Sequence, residues 1–275
     1  MPEGDTVHRA AQRLAAALLD QRLTHADLRV PDLATVDLVG RTVTAVIARG
    51  KHLLTRLDDD LTLHTHFRMD GAFRLFRPGT PWRGGPAHQI RVVLGNAGWT
   101  AVGYRIPVVE LLPTSGESRV VGHLGPDVLG PDWDPDAAVA RIRSQPHREI
   151  GTALLDQRNL CGLGNVYRTE ALYLAGVHPR TPVADVTDLP GLVIRAQRLV
   201  AAHRDRATRS TTGTLRGERY HVYGRGGRPC GRCGCAIRTS EQGDPGQART
   251  VAWCPGCQPS ESGAGAEQRG DLGRP

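Results

Sequence analysis

The 275-residue chain is long enough to bury a sizeable core and suits two modest domains better than one large one. Its formal charge of +7 favours polyanionic partners, nucleic acid or an anionic membrane surface. No apolar run approaches the ~20 residues that span a bilayer, and His8, Arg9, Gln12 and Arg13 break up the apolar residues near the start, so a soluble cytoplasmic protein without signal peptide or membrane partner is expected.

The chain opens Met1-Pro2-Glu3-Gly4. Removal of Met1 would expose a secondary amine at Pro2, which can attack an electrophilic carbon and form an iminium. Glu3 would stand beside it as an acid or base. Taken alone, Pro2 reads first as a helix-start proline whose missing N–H costs nothing. Val7, Ala10, Leu14 and Leu18 then recur every three or four residues, which predicts one helix over 5–19 with a single buried stripe. Strands are expected over 42–47, 51–57 and 61–66, with Asp58-Asp59-Asp60 as a turn, and over 71–76, 89–94 and 99–104, with Asn96 and Gly98 turning the last pair. One helix followed by antiparallel strands to about residue 112 suggests a β-sandwich.

Prolines and glycines punctuate 113–135, which reads as a linker with one short ordered segment near 120–124. Helices are expected over 136–143, capped by Asp134, and over 149–155, 165–174 and 189–205, the last entered through Pro190. Residues from about 260 are polar and glycine-rich and are expected to be disordered. Arg269-Gly270-Asp271 has the letters of an adhesion motif, read here as chance.

Six cysteines in a reducing compartment argue for metal before disulfides. Cys230-Gly-Arg-Cys233 and Cys254-Pro-Gly-Cys257 can each supply two thiolates from a tight knuckle, completing one tetrahedral zinc site around a hairpin over 236–253. Cys235 is a near-miss that could exchange as a ligand, and Cys161 reads as structural. Few large apolar residues separate the pairs, so folding there should depend on metal. Arg225, Arg228, Arg232, Arg238 and Arg249 lie on or beside this segment. They are consistent with a solvated basic face or with a DNA phosphate track, and the Gly162-Leu163-Gly164-Asn165 helix entry could hold a phosphate on its backbone amides.

Three separated motifs carry a resemblance. They are Met1-Pro2-Glu3-Gly4; then Gly162-Leu163-Gly164-Asn165-Val166-Tyr167 with Glu170-Ala171-Leu172 and Gly176-Val177-His178-Pro179; then Val222-Tyr223-Gly224-Arg225 leading into the cysteine pairs with Arg249-Thr250. In this order the chain resembles the formamidopyrimidine-DNA glycosylase and endonuclease VIII family of base-excision repair enzymes. The resemblance implies a multidomain α+β fold. Its parts are an N-terminal helix plus antiparallel β-sandwich (1–112), a linker (113–135), a helix–two-turns–helix domain (136–222), a zinc β-hairpin finger (223–259) and a tail (260–275).

It also implies a bifunctional glycosylase and abasic-site lyase acting on double-stranded DNA with oxidised bases or abasic sites. Such a protein would be a nucleoid-associated monomer with one structural Zn²⁺ and no cofactor at the reaction centre. By position, Pro2 is the nucleophile, Glu3 the acid–base residue, and Lys51, Asn165 and Arg249 the phosphate contacts. Lys51 is the only lysine in the chain. Met69 occupies the place of an apolar wedge that fills the gap left by the flipped base. His66 shares a strand face with His64 and is assigned to packing or phosphate contact. The plain alternatives are a strand-edge lysine at 51, a helix cap at Asn165, a general backbone contact at Arg249 and core filler at Met69.

Two departures stand out. Asp5-Thr6 replaces the usual Pro-Glu after Gly4, and no arginine–phenylalanine pair appears around Tyr104-Arg105-Ile106-Pro107. The Gly4 version of the start leans toward the endonuclease VIII branch, and so toward oxidised pyrimidines rather than 8-oxoguanine opposite cytosine. The rival expectations are a noncatalytic protein that recognises damaged DNA and a zinc ribbon that binds another protein.

Overall fold

The computed structural model describes residues 2–243, 246 and 248–260. Met1, the hairpin-tip residues Asp244 and Pro245, and the expected tail with Arg269-Gly270-Asp271 lie outside the described residues.

Helix α1 (Gly4–Leu18) buries Val7, Ala11, Leu14 and Leu18, the stripe its spacing predicts. Eight strands follow: β1 (His25–Leu28), β2 (Val43–Arg49), β3 (His52–Leu57), β4 (Leu61–His66), β5 (Ala72–Phe76), β6 (Ile90–Gly95), β7 (Thr100–Tyr104) and β8 (Val108–Pro113). They form two antiparallel four-stranded sheets, ordered β1-β6-β7-β5 and β2-β3-β4-β8. Asp59 and Asp60 both take positive φ in the β3–β4 turn, where the short acidic side chain tolerates the left-handed region and the twist suits a hairpin. Asn96 Oδ1 accepts from the Gly98 and Trp99 amides and closes the β6–β7 turn. Leu53, Leu63, Val92, Leu94 and Ala101 meet the buried face of α1 in one core. The outer face of the first sheet has a smaller cluster of its own, Ile90, Val93, Val102 and Tyr104, so central β7 is buried on both sides.

Strands β1 and β8 were not among the expected ones, and the 113–135 stretch packs more tightly than a linker. It contains α2 (Ser118–Val121), and Leu124, Asp127 and Val128 are buried. The helical domain has α3 (Pro135–Arg143), α4 (Ile150–Leu155), α5 (Asn165–Ala175) and α6 (Leu189–Ala201). Asp134 and Asp188 cap α3 and α6 by accepting from the Ala137 and Gly191 amides, each at 2.9 Å. Helix α6 stops four residues before its expected end. His203 turns its ring back to the Leu199 carbonyl and binds the Ser210 backbone, which diverts the chain into a loop.

Strands β9 (Arg238–Gln242) and β10 (Arg249–Trp253) form the C-terminal hairpin. Cys230, Cys254, Ile237 and Ala252 pack with Tyr173 and Val222, which docks the hairpin on α5. The sulfurs of Cys230, Cys233, Cys254 and Cys257 all lie within 4.8 Å of one another. Four ligands at the Zn–S distance of about 2.3 Å put their sulfurs about 3.8 Å apart, and the Cys230–Cys257 pair stands at 3.9 Å. The donor set fits a structural zinc ion. Cys235 is outside this group, with its sulfur beside Gly256. Elemental analysis should return about one zinc per chain. Cys254→Ser should lose that zinc and sharply lower the thermal midpoint; full stability without metal would refute a structural role.

Candidate active site

The first turn of α1 is inserted against the turn that starts α5. The Gly4 amide donates to the Gly162 carbonyl at 2.8 Å, and the Val166 amide donates to Glu3 Oε1 at 2.9 Å. Such an approach needs glycine: a Cβ on Gly4 would lie 2.9 Å from the Gly162 oxygen, and one on Gly164 would lie 2.3 Å from the Glu3 carboxyl carbon. Glu3 is fully buried, and its second oxygen, Oε2, has no hydrogen-bond partner. Burial raises its pKa above the usual carboxylate range, against the lowering influence of Arg209, Lys51 and the Val166 amide. The outcome is a carboxyl group suited to hold a proton on Oε2 beside Pro2.

Lys51 follows the tight turn at Gly50 between β2 and β3. Its ammonium is pushed below its ordinary range by burial, opposed by Glu3 and reinforced by Arg249 and Arg209. Asp127 holds the turn: its Oδ2 accepts from the Gly50 amide at 2.6 Å, and Oδ1 accepts from Leu129. The 113–135 stretch therefore braces the lysine.

Asn165 is the first residue of α5 and does not cap it. Its Nδ2 donates to the Thr250 carbonyl at 2.8 Å, while Oδ1 accepts from Arg168. The hydrogen bond joins α5 to the hairpin at the residue after Arg249. Arg168 is buried and also donates to Gln242 of β9, at 2.8 Å. Burial drives its guanidinium down to about 10, opposed by Glu3, Glu149 and Glu241. Lys51, Asn165 and Arg249 thus come from the sandwich, the helical domain and the hairpin to one region around Glu3.

Met69 is 52 % exposed at the tip of the β4–β5 turn, an unusual placement for core filler. With Pro2, Thr6, Arg9, Arg209 and Tyr220 it lines a cavity of about 380 Å³. His66 ends β4 and accepts from the Arg68 amide. Burial, then Arg68, Lys51 and His64, depress its pKa to about 4. His64 sits between His52, at 2.9 Å, and Glu110, at 2.9 Å. Among the described residues the only group of three or more metal-ligating side chains within reach of one ion is the cysteine set.

The partners of Glu170, Tyr167 and Asp5 were not visible in the sequence. Glu170 is buried and accepts from the His221, Val222 and Tyr223 amides and from the Thr211 hydroxyl, tying the segment after α6 to α5. Tyr167 donates to Asp5 at 2.9 Å, and Arg209 makes a two-pronged contact with the same carboxylate. The signal available in the sequence was the Asp5-Thr6 departure, which marks the place but not the partner.

Comparisons with known proteins bear on this geometry. Residues 1–103 match the formamidopyrimidine-DNA glycosylase N-terminal domain, and residues 124–196 match the H2TH domain of formamidopyrimidine-DNA glycosylase. The chain is 56% identical over 263 residues to a probable endonuclease 8 2 of Streptomyces coelicolor, covering 94% of each chain. It is 42% identical over 259 residues to the DNA-(apurinic or apyrimidinic site) lyase Nei2 of Mycolicibacterium smegmatis, covering 94% of this chain and 99% of that one. The fold is shared with the Lactococcus lactis formamidopyrimidine-DNA glycosylase in its complex with DNA containing an abasic site. There the TM-score is 0.79 at 23% identity, over 94% of this chain and 100% of the other. With Pro2, Glu3 and the turn before α5 joined as described, and with relatives matched along nearly its whole length, the chain belongs to the formamidopyrimidine-DNA glycosylase and endonuclease VIII family, on the endonuclease VIII side.

Proposed function

We propose that this protein is a bifunctional DNA glycosylase and abasic-site lyase acting on double-stranded DNA that carries oxidised bases or abasic sites, with Pro2 as nucleophile. The observation that carries the reading is the buried Glu3 carboxyl with an unpartnered Oε2, held beside Pro2 where cationic residues from all three parts of the fold meet. Its relatives' names, an endonuclease 8 and an abasic-site lyase, support it.

The chemistry follows from those groups. The damaged nucleotide is extruded, at a cost of a few kcal/mol that a poorly stacked lesion lowers. With Met1 removed, the Pro2 nitrogen attacks C1′ as the C1′–base bond breaks, the amine proton passes to the departing base, and Glu3 gives its proton to the ring oxygen so that the C1′–O4′ bond breaks and the sugar opens. The resulting iminium acidifies the C2′ protons. Loss of one of them expels the 3′ phosphate, and a second elimination expels the 5′ phosphate. A free α-amine titrates near pH 8, so a working fraction of neutral Pro2 needs only modest tuning.

Lys51, Arg249 and the second amide proton of Asn165 hold phosphates flanking the flipped nucleotide, His66 contributes a further contact, and Met69 fills the vacated stack. Zinc holds the hairpin that carries Arg249 and takes no part in bond-breaking. The substrates favoured are oxidised pyrimidines over 8-oxoguanine opposite cytosine. Among the described residues no helix is long and apolar enough to cross a membrane. A monomer working on the nucleoid in the cytoplasm completes the reading.

Borohydride in the presence of an abasic duplex should trap a covalent adduct that maps to Pro2. An N-terminal extension that keeps the Pro2 nitrogen in an amide should abolish it. Protein shown to lack Met1 that yields neither adduct nor strand scission would leave only a DNA-binding role. Glu3→Gln should slow release of an oxidised pyrimidine by at least about 100-fold, and it should spare more of the cleavage at a preformed abasic site. In salt titrations, Arg249→Ala should reduce the slope of log affinity against log salt by about 1. An unchanged slope would remove Arg249 from the phosphate contacts.

A further inference from the structure

The loop that follows α6 returns to the first turn of α1 through a buried ion pair. Arg209 Nε donates to Asp5 Oδ2 at 2.7 Å, and Nη2 donates to Asp5 Oδ1 and to Thr6 Oγ1, each at 2.6 Å. The Asp5 side chain is 1 % exposed and that of Arg209 13 %. Tyr167 of α5 completes the group by donating to Asp5 Oδ2, with the guanidinium 5.4 Å from its ring centroid. A pair this well shielded is not a surface ornament. Removing one partner leaves an uncompensated charge in the interior.

The position of this pair gives it a consequence for the site. Asp5 is two residues from Glu3 on the same helical turn, and Arg209 lines the Pro2 cavity with Thr208, Arg219 and Tyr220 of its own loop. The loop is fixed behind Arg209 by His203 on Ser210, and ahead of it by Glu170 on Thr211, His221 and Val222. Arg209 is therefore the point where an anchored loop grips the tip that carries Pro2 and Glu3. Thr6 takes part as an acceptor, so both residues of the Asp5-Thr6 departure serve the same contact.

We propose that Arg209 is a positioning residue: through its grip on Asp5 and Thr6 it fixes the Pro2–Glu3 tip relative to the loop that walls the cavity. Its Nε and Nη2 are committed to Asp5 and Thr6, and through them it acts on that turn. This inference rests on the reading of Pro2 and Glu3 above.

A pH signature separates positioning from mere stability. Glu3 faces Arg209 from the loop, Lys51 from the β2–β3 turn, Asp5 on α1 and the Val166 amide of α5. Arg168 and Tyr167 of α5, and Tyr220 and Tyr223 beyond the loop, share its field. Arg209 lowers the pKa of Glu3 and Asp5 raises it. Base release needs protonated Glu3, so the rate falls as pH rises through the folded-state pKa of that group. Removing the Arg209 cation should move this descending limb to higher pH, and removing the Asp5 charge should move it to lower pH.

The test is single-turnover release of an oxidised pyrimidine from duplex DNA between pH 5 and 9, with the zinc-loaded protein. Arg209→Met should lower the maximal rate at least about 10-fold and move the descending limb to higher pH. Asp5→Asn should move the limb the other way. The double variant should bring the limb back near its original position without restoring the rate, because the charges cancel while the grip is lost. Arg209→Lys keeps the charge and loses the two-pronged contact, so its limb should stay in place while its rate falls.

A wild-type rate and limb in Arg209→Met would overturn the proposal. If that variant fails to fold, a wild-type rate in Arg209→Lys would do so. Absence of a borohydride adduct in the unaltered protein would instead refute the function proposed above, whereas a normal adduct with unshifted limbs refutes only the role of Arg209.

Discussion

Gly4 N–H meets the Gly162 carbonyl at 2.8 Å, and Glu3 accepts from Val166, a residue 163 positions later in the chain. Neither contact could form if the two backbones stood a side chain apart, since Cβ atoms on Gly4 or Gly164 would collide with the opposite segment. The rest of the site depends on this approach. It places the start of α1, and with it the Pro2 nitrogen, against the N-terminal turn of the helix that also supports the hairpin. The closeness excludes water from Glu3, and exclusion of water is what raises its proton affinity. A packing constraint thus becomes an electrostatic property.

Helix α5 is the common support for the residues gathered around Glu3. Its first turn holds Glu3 through Val166 and the hairpin through Asn165 and Arg168, and its middle holds the post-α6 segment through Glu170. Nine consecutive residues of α5, Asn165 to Tyr173, are buried, so this helix has no solvent face in its first two turns. Ordinary amphipathic helices are fixed on one side; this one is fixed on every side by polar and apolar partners. Zinc acts at the far end of the same chain of contacts. The four cysteines that would hold it lie at the hairpin base, Cys230 and Cys254 pack with Tyr173, and Arg249 of the same hairpin lies near Lys51.

The legible part of this arrangement was local. Asp134 announced α3 and Pro190 announced α6, because a cap or a first-turn proline and its helix are neighbours in sequence. The Asp58–Asp60 and Asn96 turns were visible for the same reason. The cysteine spacing carried its own geometry, and the family resemblance supplied the identity of Pro2, Glu3, Lys51, Asn165 and Arg249. Strand β1 was hidden because His25-Ala26-Asp27-Leu28 has no clean alternation, and its edge position leaves only Leu28 fully buried. The proline- and glycine-rich stretch looked like a linker since turn residues dominate it, yet Asp127 within it holds the turn before Lys51. Arg209 and Asp5 are 204 positions apart, a separation at which neither periodicity nor spacing points to a partner.

The Asp5-Thr6 departure shows how such a partner changes the meaning of a local anomaly. Read alone, it subtracts an expected carboxylate from the position after Asp5 and leaves the pocket one acceptor short. In the folded chain the carboxylate is present one residue earlier, and the threonine beside it accepts from the same guanidinium. The buried cation has two acceptors on one helical turn and a phenol hydroxyl completing the carboxylate's shell. Burying Arg209 without such partners would cost several kcal/mol; with them, burial works against the charge but Asp5 holds the guanidinium above its ordinary pKa. The turn that carries Pro2 and Glu3 is therefore held by a guanidinium that Asp5 keeps charged.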